Sequence, residues 1–156
     1  MELVQKNPEQ ARKLEPMTLE LKCALLLNVV ERFREVDAEM QAQSMAILLK
    51  VAKHSLPLKM AEIAEELGLS QSTVSRNVAY LGDWNRHREK GHQLVEAFED
   101  PSERRRKLVR LTPKGKRFVT SLANIVTESI PKDYLQYVQQ FVAQGGNVGD
   151  GINETT

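Results

Sequence analysis

A single cysteine, Cys23, rules out an internal disulfide and any cysteine-rich zinc site, and it suits a reducing, cytosolic compartment. Aromatic residues make up only 5% of the chain, which argues against a large sheet-based core. No run approaches the roughly eighteen consecutive apolar residues that a membrane helix needs. The opening MELVQKNPEQARK has no apolar signal core, so the expectation is a cytoplasmic protein with neither signal peptide nor membrane span. Histidine is scarce. His87 and His92 are the only close pair, His54 stands alone, and no ligand set for a metal is expected. A Gly-rich phosphate loop, a nucleophile elbow and carboxylate pairs in a plausible cleft are all missing. The sequence therefore points away from an enzyme and suggests no cofactor.

The 156 residues suit one domain with a real core. Leu, Val, Ala, Glu, Lys and Arg dominate and favour helices. The most informative stretch is Met60 to Leu81, MAEIAEELGLSQSTVSRNVAYL. Ile63, Ala64, Leu67, Val74, Val78 and Leu81 repeat every three or four positions, except across Gly68-Leu69-Ser70. Gly68 can end one helix in the left-handed conformation, and Ser70 can cap the next through the amide of Ser72 or Thr73. Small Ala64 sits where two helices must approach, Leu69 plugs the turn and Val74 anchors the second helix. The pattern is a helix-turn-helix over 59–82, with Gln71, Ser72, Ser75 and Arg76 on the outer face. The many acids nearby, such as Glu62, Glu65 and Glu66, read as a solvated helix face.

Before this stretch, residues 1–17 are expected to form a flexible arm. Thr18 is a helix cap, and Leu21, Ala24, Leu25, Val29, Phe33 and Val36 follow at helical spacing. Leu26, Leu27 and Val30 widen that stripe beyond what one neighbour needs, so the helix is either central or shared between subunits. Asp37 is the expected cap of the next helix, whose inward face is Met40, Ser44, Ile47, Leu48 and Val51, ending near His54. After the helix-turn-helix, helical periodicity fades beyond Trp84. The recognition helix should end between Asp83 and Arg88, followed by a basic loop. Gln93–Phe98 and Lys107–Leu111 then read as two strands joined by Glu99–Arg105, a hairpin wing within 93–111. Thr112-Pro113 starts a helix running to about Ser129. Pro131 opens another, with Tyr134, Leu135, Val138, Phe141 and Val142 as its stripe, and Gly145-Gly146 ends it. Residues 144–156 are expected to be a disordered tail.

The net charge of +1 is uninformative, but its distribution is not. Residues 84–117 carry 11 Lys and Arg against 5 Asp and Glu, whereas 1–83 and 118–156 are net acidic. A basic run that adjoins a recognition helix reads as a phosphate-binding surface.

These features together resemble the MarR-type winged-helix regulators over roughly residues 18–143. The resemblance rests on the helix-turn-helix, the DPSERR wing turn at Asp100–Arg105 and the passage KLVRLTPKGK from Lys107 to Lys116. It implies a mainly α fold with a small β-hairpin wing, and a homodimer in which amino- and carboxy-terminal helices interlock. Two winged heads would then bind a pseudo-palindromic duplex. The resemblance also implies that Glu103 and Arg105 brace the wing tip while Arg104 or Arg106 enters the minor groove. It leaves room for a small-molecule effector. Three departures stand out: Gly82–Gln93 replaces a short Gly-Leu-Val connection, Asn77 is polar where an apolar residue commonly helps bury the recognition helix, and the tail after Gly145 has no counterpart in the family pattern.

The expected DNA-binding residues follow from their chemistry. Arg76 carries the guanidinium fork that pairs with guanine O6 and N7 and is the expected base reader, the bland alternative being an ion pair with Glu66 or Asp83. Gln71, Ser72 and Ser75 offer hydrogen bonds to bases or phosphates, and Ser70 and Thr73 serve the helix cap and a phosphate. Arg86, Arg88, Lys90 and Lys107 suit phosphates, and Arg104, Arg105 and Arg106 belong to the wing. Cys23 reads as core packing, with redox sensing the lesser reading. The leading function is a DNA-binding transcription regulator, a dimeric repressor acting by promoter occlusion. A winged-helix replication, partition, architectural or adaptor protein is the alternative.

Overall fold

The computed structural model describes residues 18–84 and 90–129, together with the isolated helical positions Lys132, Gln136, Gln139, Gln140 and Ala143. The expected amino-terminal arm, the tip of the inserted loop, most of the helix opening at Pro131 and the tail lie outside the described residues. The chain divides into two compact units. One comprises Val29–Ala123, the other Met1–Asn28 with Asn124–Thr156.

Helix α1 spans Leu19–Arg34 and is capped as expected, the Leu21 amide donating to Thr18 Oγ1 at 3.3 Å. Its Leu19, Leu26, Leu27 and Val30 are exposed, Leu19 by 72% and Leu26 by 68%. Helix α2, Ala42–Ala52, buries Ser44, Ile47, Leu48 and Val51, which together with buried Met40 make up the expected inward face. Asp37 does not cap it. The N-cap is Gln41, without a side-chain cap bond, and Asp37 instead accepts from the Glu39 amide at 2.9 Å and from the Tyr80 hydroxyl at 2.6 Å. Asp37 lies four positions before Gln41, too far for the one-turn reach of a capping carboxylate.

Strand β1, Leu58–Lys59, leads directly into helix α3, Met60–Leu67, and helix α4, Gln71–Leu81, follows. Strands β2, Val95–Asp100, and β3, Glu103–Leu111, form the wing, and helix α5 is Pro113–Ser129. The sheet order is β1-β3-β2, all antiparallel. At two residues β1 is too short to show a period, so sequence patterning does not reveal it; it pairs Leu58 with Val109 and Lys59 with Leu108. β2 is shifted two residues toward the tip and β3 starts four residues earlier than expected, so the turn between them shrinks to Pro101-Ser102, with Glu99 paired to Lys107 and Asp100 to Glu103. Charged side chains hide the two-residue alternation there, but backbone pairing does not depend on them.

The core of the Val29–Ala123 unit joins Phe33, Ile47, Leu48, Ile63, Val74, Leu81, Leu94, Val95 and Val109. The Phe33 and Phe118 rings meet edge to face with centroids 5.4 Å apart. Thr112 starts α5 as expected, its hydroxyl accepting from the Gly115 amide at 2.9 Å.

Helix α4 ends at Leu81, earlier than its sequence suggests. Backbone pairing captures the chain at that point: the Leu94 amide donates to the Leu81 carbonyl, the Gln93 amide to Gly82 and the Gly91 amide to Asp83, each at 2.8 Å. A bridge between Trp84 and Lys90 continues the pairing. The insertion thus starts as a narrow antiparallel stem.

Candidate nucleic-acid interface

The helix-turn-helix is built by the residues that announced it. Gly68 ends α3 at φ 62°, ψ 32°, and the Leu69 amide returns to the Ala64 carbonyl at 2.9 Å. Ser70 lies in an extended conformation and accepts from the Thr73 amide at 3.1 Å, so the donors of the first turn of α4 are partly satisfied and its apolar edge faces inward. Val74, Val78 and Leu81 are buried, Ala64 allows the close approach, and Leu69 packs on the core. Gln71, Ser72, Ser75 and Arg76 are left exposed.

Asn77 is buried on α4 and fully partnered. Its Oδ1 accepts from Ser44 Oγ of α2 at 2.5 Å, and its Nδ2 donates to the Thr73 carbonyl at 2.9 Å. One turn on, Tyr80 reaches Asp37, and His92 from the base of the insertion approaches the same carboxylate, Nε2 to Oδ2 3.5 Å. The Tyr80 and His92 rings meet edge to face at 4.6 Å. The Tyr80 hydrogen bond, followed by the Glu39 amide, holds the Asp37 carboxyl below its usual range. Burial, then the hydrogen bond to Asp37, pushes the Tyr80 phenol well up.

At the wing tip Asp100 accepts from the Ser102 amide at 2.8 Å and the Ser102 hydroxyl at 2.6 Å, and these bonds lower its pKa. Glu103 pairs with Arg106 at 2.9 Å, not with the expected Arg105. Regular alternation would put residues 103 and 105 on one face, but the register shifts between Glu99 and Asp100, leaving residues 104–106 between the Glu103 and Lys107 pairs and out of that alternation. On the outer face of the wing Arg110 pairs with Glu96 at 2.6 Å and lies 4.8 Å over the Phe98 ring.

The start of the recognition helix and the wing share one open cleft of about 750 Å³. Gln71, Ser72 and Ser75 line it from α4, and Arg105, Arg106 and Lys107 from β3. Lys107 alternates in register with buried Val109, whereas Arg105 and Arg106 reach the cleft from the irregular stretch between the Lys107 and Glu103 pairs. Lys59 also lines the cleft, and sequence reading missed it. Its signal was slight: a lysine just ahead of the helix-turn-helix, on a strand too short to see. Glu62 and Glu65 contribute negative charge to the same wall, that of Glu62 partly offset by its 3.1 Å pair with Lys59.

The remaining expected residues that are described do not line this cleft. Arg104 is exposed on the wing, and Lys90 is exposed in the stem opposite Trp84. Arg86 and Arg88 lie outside the described residues. Ser70 and Thr73 form the cap, their hydroxyl oxygens 2.8 Å apart. Arg76 is exposed, with Nη2 3.4 Å from Thr73 Oγ1, and lines a smaller pocket of about 260 Å³ with Asp37, Glu39 and Tyr80. Among the described residues it makes no ion pair, with either Glu66 or Asp83, and Glu66 is taken by Lys50. Cys23 is exposed on α1 rather than packed in the core. Among the described residues no helix is long and apolar enough to cross a membrane, and no group of three His, Cys, Asp or Glu could hold a metal ion.

No protein-family model and no curated protein sequence matches the chain. Solved structures do match. MepR of S. aureus, in a complex with DNA, superposes with a TM-score of 0.60 at 17% identity, over 81% of this chain and 94% of that one. A MarR-family transcriptional regulator from Rhodococcus sp. RHA1 gives 0.50 at 18% identity, over 79% and 84%. CouR from Rhodococcus jostii RHA1, bound to p-coumaroyl-CoA, gives 0.50 at 19% identity, over 79% and 84%. With helices, helix-turn-helix and hairpin wing in this order, the chain has the MarR-type winged-helix fold.

Proposed function

We propose that the protein is a sequence-specific regulator of transcription that binds double-stranded DNA as a homodimer and represses by occluding a promoter. The observation that carries this reading is the shared cleft, in which hydrogen-bonding side chains on a recognition helix face three wing cations. A major groove accepts the helix, whose Gln71, Ser72 and Ser75 would reach base edges or phosphates, with Arg76 beside them as the guanine reader. Arg105, Arg106 and Lys107 supply charge to the backbone, joined by Lys90, Arg86 and Arg88 from the insertion, and Arg104 is the wing residue left for the minor groove. Ser70 and Thr73 hold the start of the helix and offer a phosphate contact.

The homodimer draws support from α1. Its exposed Leu19, Leu26, Leu27 and Val30 make an apolar stripe that a monomer leaves in water. Residues 18–143 would act as one functional domain, working in the cytoplasm and catalysing no reaction. The bound p-coumaroyl-CoA of CouR makes a small-molecule effector a natural extension of the reading.

Titrating wild-type protein and Arg76→Ala with a selected duplex and with its scrambled counterpart tests the assignment. Wild type should prefer the selected duplex by about a thousandfold or more. Arg76→Ala should lose about tenfold or more on that duplex and little on the scrambled one, since a bidentate contact carries about 1–3 kcal/mol of discrimination. Equal weakening on both would remove Arg76 as a reader, and no preference in the wild type would remove sequence-specific recognition.

A further inference from the structure

Backbone bonds from His92 and Leu94 hold the carboxy-terminal end of the recognition helix; among the described residues two side-chain hydrogen bonds join it to α2 and the corner before α2, and they lie one turn apart on the same edge of α4. Asn77 is bonded to Ser44 of α2, with Asn77 8% and Ser44 1% exposed, and Tyr80 is bonded to Asp37 in the corner between α1 and α2. The other inward residues of α4, Val74, Val78 and Leu81, are apolar. Apolar packing tolerates small rotations and slides, whereas a hydrogen bond weakens steeply with angle and distance. A buried polar pair also adds little net stability compared with well-packed apolar residues of similar size. Its retention in an otherwise apolar seam is better explained by geometry than by stability.

We propose that Ser44–Asn77 and Asp37–Tyr80 are positioning contacts that set the rotation of the recognition helix, and thereby the sequence selectivity of the head. The inference rests on the DNA-binding reading above. Side chains reach about 5–6 Å from a helix axis, so a rotation of about 20° displaces their ends by roughly 2 Å. That exceeds the tolerance of a bidentate base contact, about 0.5 Å. Backbone phosphates reached by long, flexible cations tolerate such a shift. Losing the two contacts should therefore blur base readout and spare non-specific binding. Arg76 and Ser75 directly precede Asn77, and Thr73, whose carbonyl Asn77 holds, belongs to the cap that starts the exposed face.

The test uses the full chain in two variants. Ser44→Ala with Asn77→Leu replaces the buried pair by apolar groups and leaves no orphaned polar atom. Tyr80→Phe removes one hydroxyl, while Asp37 retains the Glu39 amide and His92. For each variant, affinity is measured on the duplex selected by the wild type and on a scrambled duplex, alongside urea unfolding. The selectivity ratio should fall by about tenfold or more, as for one lost bidentate contact, with scrambled-duplex affinity and the unfolding midpoint nearly unchanged. If Ser44→Ala/Asn77→Leu does not fold, Tyr80→Phe alone decides. An unchanged ratio, or equal loss on both duplexes, overturns the inference. A wild type that selects no duplex overturns the DNA-binding reading itself, and the inference falls with it.

Discussion

Changing Arg105, Arg106 and Lys107 together to Gln should weaken binding to any duplex by about a hundredfold at roughly 0.15 M salt. Each phosphate contact releases counterions and adds about 0.9 to the log-log salt slope, so three lost contacts flatten it by about 2.7. The three side chains line the cleft beside Gln71, Ser72 and Ser75. Two of them make no ion pair among the described residues, while Arg106 is tied to Glu103. A loss shared between selected and scrambled duplexes would identify them as backbone contacts. An unchanged slope would mean that the wing does not touch DNA. Arg104→Gln is the internal comparison: it removes a wing charge away from the cleft, and if that arginine reads a narrow minor groove its effect should depend on A·T content instead.

Gly115→Ala should destabilise the fold by about 3 kcal/mol, the upper end for inserting a methyl group into a packed site. A Cβ at Gly115 would lie 1.8 Å from the Leu94 carbonyl oxygen and 2.8 Å from its carbon, and backbone cannot swing aside as a side chain can. The same junction is held by the Thr112 amide on the Leu94 carbonyl at 3.0 Å, by the Thr112 hydroxyl on the Gln93 carbonyl at 2.6 Å and by Lys114 Nζ on the His92 carbonyl at 2.8 Å. Helix α5 therefore cannot move off without breaking them. For a chain of this size the melting temperature should drop by about 6–12 °C. Gly68→Ala provides the contrast. Space is open around that Cβ, and only the positive φ is strained, a cost of about 1 kcal/mol. A Gly115→Ala loss no larger than that of Gly68→Ala would show that the α5 junction is not tightly seated.

Local chemistry explains which features the sequence made legible. The turn at Gly68-Leu69-Ser70 and the cap at Thr112 are written in residues whose backbone preference is decisive, and both formed where expected. The inward faces of α2 and α4 were legible because burial follows a 3.6-residue period. Partners distant in sequence were not. Asp37 had the composition of a helix cap, but its acceptors are engaged by Glu39 and by Tyr80, 43 positions away. Asn77 looked like a departure from the fold's pattern until Ser44, an ordinary polar residue in an apolar run, proved to be its partner. The stem that ends α4 at Leu81 depends on backbone pairing with 91–94, which side-chain patterning does not encode. At the wing tip the shift in register redirected Glu103 from Arg105 to Arg106.

On the proposed function, the cleft between α4 and the wing reads double-stranded DNA, one half-site per head of a dimer. Selection of bound duplexes from a random pool by the full chain, followed by sequencing, tests it most directly. The reading predicts an inverted repeat with half-site centres about one helical turn, roughly 10 base pairs, apart. Recovery of unrelated sequences with no shared motif, or of a single unrepeated site, would contradict it.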